Sequence, residues 1–326
     1  MNPTSSSSAA ALAPLSPAGT HPRLARLVEA ARARAASQPP PLGLVHPCDA
    51  LALDAARRVA AAGIARPVLV GARELVARAA DEAAVAIDDF ELVDTGPGGA
   101  QAAARAVALA RAGALAALMK GSLHTDELMS AVVHRDHGLR GTRRVSHAFL
   151  FDLPRYHKLI ALADCVVNIA PHLPAKRDIL ANALDLLRGL GLEQPKVGVV
   201  CAVETVNPAI AATQDAKALA DMAARGEFGR AVVEGPLGFD NAYSAEAARI
   251  KRIDSDVAGD ADLLLVPDLN AGNMLYKSFN YVGGGDAAGL VLGTRVPIVL
   301  TSRADTLQAR VASAALAMLQ SSSLRG

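Results

Sequence analysis

The sequence predicts an α/β fold of two lobes, with mostly parallel sheets covered by helices. From Leu42 onward, short β-branched or aliphatic runs alternate with Ala-rich helical stretches, the rhythm of α/β chains. The strand-like runs are continuously apolar rather than alternating, which implies burial on both faces and parallel pairing under helices. At 326 residues the chain is large for one sheet, which favours two lobes with a cleft between them.

In chain order, residues 1–22 are low in complexity and rich in Ser, Ala and Pro, and read as a disordered tail. A helix is expected over Arg23–Ala36, broken by SQPPP. Strands are expected at GLVHP (43–47), RPVLVG (66–71), ALAALMKG (114–121) and CVVNIAP (165–171). Further strands are expected at KVGVVCAVET (196–205), RAVVEGP (230–236), DLLLVPD (262–268) and VPIVLTS (296–302). Around 140–160, clustered arginines and the alternating VSHAFLF interrupt the rhythm. An antiparallel strand or hairpin crossing into a second lobe fits there. The first domain is read as 23–145 plus 293–326, with the last strand and helix returning to it, and the second as 146–292.

Composition excludes several classes of function. With 33 basic and 32 acidic residues, the net charge of +1 gives no footprint for nucleic acid or an anionic membrane surface. Aromatics are 3% with no Trp, too few for base-stacking platforms. Three dispersed cysteines without a CxxC pair argue against a disulfide scaffold and for a reducing cytoplasm. No apolar run reaches the roughly 18–20 residues of a membrane span, and no basic n-region precedes an apolar stretch as in a secretory signal.

The unusual polar residues cluster after strands, where open α/β sheets bind ligands. Lys120, Ser122, His124 and Thr125 follow ALAALM, and Asp240 and Asn241 follow AVVEGP. Asn270 and Asn273 follow LLLVPD; Ser302, Arg303 and Asp305 follow VPIVLT. Helix starts after these strands would aim backbone N–H groups into one cleft, which suits an anionic small molecule. Plainer roles compete. Thr125 and Ser122 suit helix capping as well as phosphate contact, and Ser302 suits a turn. Asp305 followed by Gln308 is a passable capping box. Lys120 at a strand end and Arg303 with its planar fork suit ligand contact better.

Other motifs fail. GGGDAAG (283–289) does not match GxGxxG and reads as a mobile loop, and no GxxxxGK[ST] occurs. The eight histidines form no metal-binding spacing, with His134 and His137 read as helix-end residues. No GxSxG elbow occurs. Cys165 and Cys201 fall in apolar runs, as buried inert thiols do.

The strings MKGSLHTDEL, LADCVVNIAP, VEGPLGFDNAYS, VPDLNAGNMLYK and VLTSRAD together resemble the phosphate acetyl/butyryltransferases, over about 42–320. LTSRAD resembles the butyryl-type branch in particular. Acetyl-type members carry an acid on the following helix, where this chain has Ala309.

The resemblance implies a fold similar to isocitrate and isopropylmalate dehydrogenases, a homodimer and a cleft active site. It also implies reversible acyl transfer between coenzyme A, acyl phosphate and inorganic phosphate, with no metal or other cofactor. On it, Asp305 is the candidate general base, with Arg303 and Ser302 holding phosphate and stabilising the oxyanion. Lys120 or Arg144 would assist, and Ser122, Thr125, Asn241, Asn270 and Asn273 would contact substrate. A catalytically silent acyl-CoA sensor of the same fold is the alternative. A dehydrogenase would need metal-binding aspartates and a nicotinamide loop, and the sequence shows neither constellation.

Overall fold

The structure, a computed structural model, describes residues 21–36, 38–300, 302 and 305–324. Positions 1–20 of the expected tail lie outside the described residues. Pro22, placed in that tail by the sequence reading, instead opens α1 (Pro22–Ala35), its missing N–H being no loss in a first turn.

The chain then runs β1 (Pro41–Val45), α2 (Ala50–Ala61), β2 (Arg66–Gly71), α3 (Arg73–Ala83), β3 (Glu91–Asp94), α4 (Gly99–Arg111), β4 (Ala117–Lys120) and α5 (Thr125–Val132). There follow β5 (Ser146–Asp152), β6 (Ile160–Ala163), α6 (Leu173–Gly189), β7 (Lys196–Cys201), α7 (Ala211–Ala224) and β8 (Val232–Gly238). Last come α8 (Phe239–Tyr243), α9 (Ala245–Ile250), β9 (Leu263–Leu265), α10 (Leu269–Tyr281), β10 (Asp286–Leu292), β11 (Ile298–Val299) and α11 (Leu307–Ser323). The fold is mixed α/β, a large mostly parallel sheet flanked by helices.

Among the described residues the strands join one sheet in the order β3-β2-β1-β4-β11-β10-β5-β6-β9-β7-β8. Parallel pairing holds from β3 to β11 and again from β6 to β8. Between them, β10 is antiparallel to β11 and β5, and β5 is antiparallel to β6. Two strand assignments change. CVVNIAP is a loop after β6, because Asp164 Oδ1 accepts from the N–H groups of Val166 (2.9 Å) and Val167 (3.0 Å) and takes them out of any ladder. The Gly-rich GGGDAAG is no mobile loop at its end, since 286–289 begins β10. Gly289 pairs with Phe149, and a Cβ there would lie 2.7 Å from the Phe149 ring. The small residue makes room for an aromatic neighbour.

Helices cover both faces. One core joins Leu24 of α1, Leu53 of α2, Leu184 of α6 and Leu316 of α11 to strand residues such as Leu44 and Leu290. The opposite face packs Ala106 of α4 and Leu128 of α5 on Leu118 of β4, and Phe279 of α10 near Phe151 of β5.

The start of α1 depends on a distant carboxylate. His21 gives no side-chain cap. Instead Asp152, 1% exposed at the end of β5, accepts from Arg23 N at 2.7 Å, Leu24 N at 3.4 Å and Arg23 Nη1 at 2.5 Å. A negative charge suits those free N–H groups. Asp152→Asn is expected to lower the unfolding free energy by about 1.5–3 kcal/mol, the worth of hydrogen bonds to a charged group. Urea denaturation checks this, and an unchanged midpoint would refute the capping role.

Candidate active site

Four pieces of chain meet at the ends of β4, β5 and β11 and along α10. Lys120, the last residue of β4, is 8% exposed, and its Nζ donates to the carbonyls of Gly121 (3.1 Å) and Leu123 (3.0 Å). Its ammonium is therefore held in a fixed place within its own loop. Ser122 is a brace: Oγ donates to His46 O (2.8 Å) and accepts from Cys48 N (3.2 Å), tying the loops after β1 and β4 together. His124, rather than Thr125, occupies the N-cap of α5, and Glu127 accepts from its N–H at 2.9 Å. Thr125 is the first helical residue and is left to face the cavity.

The cap of α11 is also displaced from its expected place. Thr306 Oγ1 accepts from Ala309 N at 3.0 Å, so Asp305 is not the capping residue. Asp305 Oδ2 instead accepts from Ser302 N at 2.6 Å, and the Ser302 carbonyl accepts from Arg310 Nη2 at 2.6 Å. Burial raises the Asp305 carboxyl above its ordinary range, against the opposing pull of the Ser302 N–H and the Arg310 guanidinium. Desolvation likewise raises the Tyr276 phenol and lowers Arg310. Arg303 lies outside the described residues.

A cavity of about 400 Å³ opens between these pieces. Lys120, Thr125, Asn273, Ser302 and Asp305 border it together, so the structure brings together five of the residues singled out in the sequence. On α10, Asn273, Tyr276 and Lys277 stand at i, i+3 and i+4, one helical face turned to the cavity. A second cavity, about 270 Å³, shares Phe149, Tyr276, Leu300 and Asp305 with the first and is also bordered by Ala309. The carboxylate of Asp305 thus reaches a space that position 309 borders as well. A larger cavity of about 1080 Å³ between α1, α6 and α11 is lined mainly by leucine and alanine and holds none of the candidates. Size does not locate the chemistry here.

Four candidates stand elsewhere. Ser122 is the brace already described. Arg144 is exposed, with Nε donating to Asn168 Oδ1 at 2.5 Å. Asn241, buried at the start of α8, donates to Glu204 Oε1 at 2.7 Å. Asn270 is exposed at the start of α10 and borders neither cavity. The sequence reading missed His147, Phe149, Tyr276 and Lys277 as cavity residues. The helical spacing of Tyr276 and Lys277 from Asn273 carried a signal. His147 and Phe149 sit in a strand whose alternation reads equally well as core.

The thiols are poor nucleophiles. Cys201 ends β7, while Cys165 lies just past β6 rather than in a strand. Burial raises the Cys165 thiol and pushes those of Cys201 and Cys48 up to about 11. Among the described residues no three His, Cys, Asp or Glu side chains group as a metal site would require, and no helix is long and apolar enough to cross a membrane.

The sequence relatives point to one family. The model described as phosphate acetyl/butaryl transferase matches residues 99–318. A phosphate acetyltransferase of Rhizobium meliloti is 50% identical over 294 residues, covering 90% of this chain and 92% of that protein. A phosphate butyryltransferase of Clostridium acetobutylicum is 38% identical over 267 residues, 82% and 88% of the two chains. Among solved structures, a branched-chain phosphotransacylase of Enterococcus faecalis superposes with a TM-score of 0.76 at 30% identity, covering 86% of this chain and 98% of that one. With two thirds of its length matched by the family model and half of 294 aligned residues shared with one relative, the chain belongs to the phosphate acetyl/butyryltransferase family and is an acyltransferase.

Proposed function

We propose that the cavity beside Asp305 is where this acyltransferase brings coenzyme A and a short acyl phosphate together. One observation carries the reading: Thr306 takes the helix cap, which leaves the Asp305 carboxylate at the cavity wall. The chemistry then follows. A free thiol has a pKa of about 8.5, so a carboxylate that accepts its proton raises the thiolate fraction at neutral pH. A carboxyl held above its usual range is the better matched base. The sulfur forms its bond to the acyl carbon, the carbonyl pair moves onto oxygen, and its return breaks the bond to the phosphate oxygen. Lys120, Ser302 and Asn273 border the space where phosphate would leave, and Arg303 follows Ser302 in the sequence. No protein nucleophile is needed, in keeping with the buried thiols.

The relatives carry both acetyl and butyryl names, and the apolar wall of Phe149, Tyr276 and Leu300 suits acyl groups of that size. The homodimer, the cytoplasmic location and the domain division at 145–146 and 292–293 belong to the same proposal. Sedimentation measures the first. Thioester absorbance on mixing coenzyme A with acetyl or butyryl phosphate tests the reaction, and no thioester with either would refute it. A chelator is expected to leave turnover unchanged. Inactivation reversed by a divalent ion would count against the proposal.

A further inference from the structure

His147 is 1% exposed in the middle of the sheet, and among the described residues neither ring nitrogen has a hydrogen-bond partner. Folded proteins rarely leave buried polar groups so, and an exception asks for an explanation. This one borders the cavity that holds Lys120, Ser302 and Asp305.

The surroundings fix the ring. Its backbone N–H donates to Asp164 Oδ2 at 3.2 Å, a carboxylate itself held by Asn168 Nδ2 at 2.6 Å. On the sheet face the imidazole lies 4.4 Å from the Phe149 ring, centroid to centroid, and a Cβ at Gly289 would come within 2.9 Å of its Cε1. Phe149 in turn stacks on Tyr276 at 4.2 Å, and Tyr276 borders the cavity together with Asp305. His147 and the proposed base thus stand at opposite ends of one aromatic pair. Burial pushes the imidazole pKa down to about 3, so the ring is neutral in any working buffer, with one N–H to give.

We propose that the His147 ring N–H donates a hydrogen bond to the carbonyl oxygen of the bound acyl group and stabilises the oxyanion that forms there. This rests on the acyl-transfer reading above. A neutral donor suits a carbonyl beside an aromatic wall, whereas the phosphate calls for cations. During the step the sulfur–carbon bond forms while the carbonyl pair moves to oxygen. The pair then returns as the carbon–oxygen bond to phosphate breaks, and His147 keeps its proton throughout. Fixed donors of this kind act where charge develops and need no reorganisation.

His147→Leu in the full chain separates this role from a packing role. Removing a desolvated imidazole that has no partner is expected to leave the melting temperature unchanged or higher. Turnover with acetyl or butyryl phosphate is expected to fall by about 10²-fold or more, with KM for coenzyme A and the pH profile unchanged. His147→Gln, which keeps an N–H, is expected to recover part of the rate. A Leu variant with wild-type turnover overturns the proposal, while a wild-type enzyme that forms no thioester overturns the acyl-transfer reading instead. Should the variants not fold, the wild-type enzyme labelled with ¹⁵N-histidine gives the answer. Acetylphosphonate with coenzyme A is expected to shift the ring signal of a neutral histidine, and no shift in any such signal overturns the proposal.

Discussion

Asp305→Asn is expected to fold normally and to lose turnover by about 10²–10⁴, the range for removing a positioned general base. An amide oxygen can still accept from Ser302 N, and Thr306 holds the α11 cap in either case, so the local turn survives. Part of the lost rate is expected to return at alkaline pH, where the thiol ionises unaided. Stability is expected to change in the opposite sense. Because burial raises the native Asp305 carboxyl above its unfolded value, the native state binds the extra proton. Wild-type stability therefore falls as pH rises from the ordinary aspartate value through the raised one. The Asn variant lacks this loss. Its advantage is expected to be absent below the unfolded pKa, to grow across that window and to stay constant above it. Initial rates and thermal melts between acid and neutral pH measure both effects. A fully active, pH-independent variant would sink the base assignment and leave the family membership intact.

Gly121→Ala is expected to damage both fold and rate. A Cβ there would lie 2.5 Å from Val45 O and 2.6 Å from His46 O, and neither can swing aside because both are backbone atoms. Those oxygens are also the acceptors for Gly121 N (2.8 Å), Ser122 N (2.9 Å) and Ser122 Oγ (2.8 Å). Relieving the clash means parting the loops after β1 and β4, at a cost of about 3 kcal/mol. Lys120 moves with them, and displacement of about 1 Å at a site lowers rates on the order of 10²-fold. Gly113 supplies the control. Its φ is +77° with nothing within 4 Å of an added Cβ, so Gly113→Ala meets only the roughly 1–2 kcal/mol of left-handed backbone and leaves turnover intact. Equal losses in the two variants would show that Gly121 does not act through close approach.

The sequence was most legible where one local signal had no competitor. RPVLVG became β2 over the same six residues, because an apolar run flanked by helical patterns has few alternatives. It misled where a side chain two or three positions away decided the backbone. CVVNIAP has the composition of a strand, yet Asp164 claims its amides. DAAGLVL has the composition of a loop at its start, yet it lies at mid-sheet because its neighbours on β5 are His147 and Phe149. Caps moved by a single residue, from Thr125 to His124 and from Asp305 to Thr306, since adjacent polar residues give the same signal. In the site, Lys120, Thr125, Asn273, Ser302 and Asp305 were readable from their place after strands. His147 and Phe149 were not, because a residue turned toward a cavity and one turned toward a core leave the same pattern in a strand.

Every residue from 309 to 321 of α11 is buried, and the helix packs against α1, α2, α6 and β10 as well as β4 and β11. A helix enclosed on all sides is a column of the interior rather than a cover for it. Arg34 on α1 donates to the Leu319 carbonyl at 3.3 Å, so the first helix closes against the last. During translation, then, the column is made after everything that surrounds it. Until it leaves the ribosome, the nascent chain carries an open apolar channel between α1, α2, α6 and the sheet, and such transient surfaces invite aggregation. The pairing of β11 with β4 waits for the same stretch of chain, and long-range pairings of this kind are slow to form. Folding of this unit is consequently completed by α11.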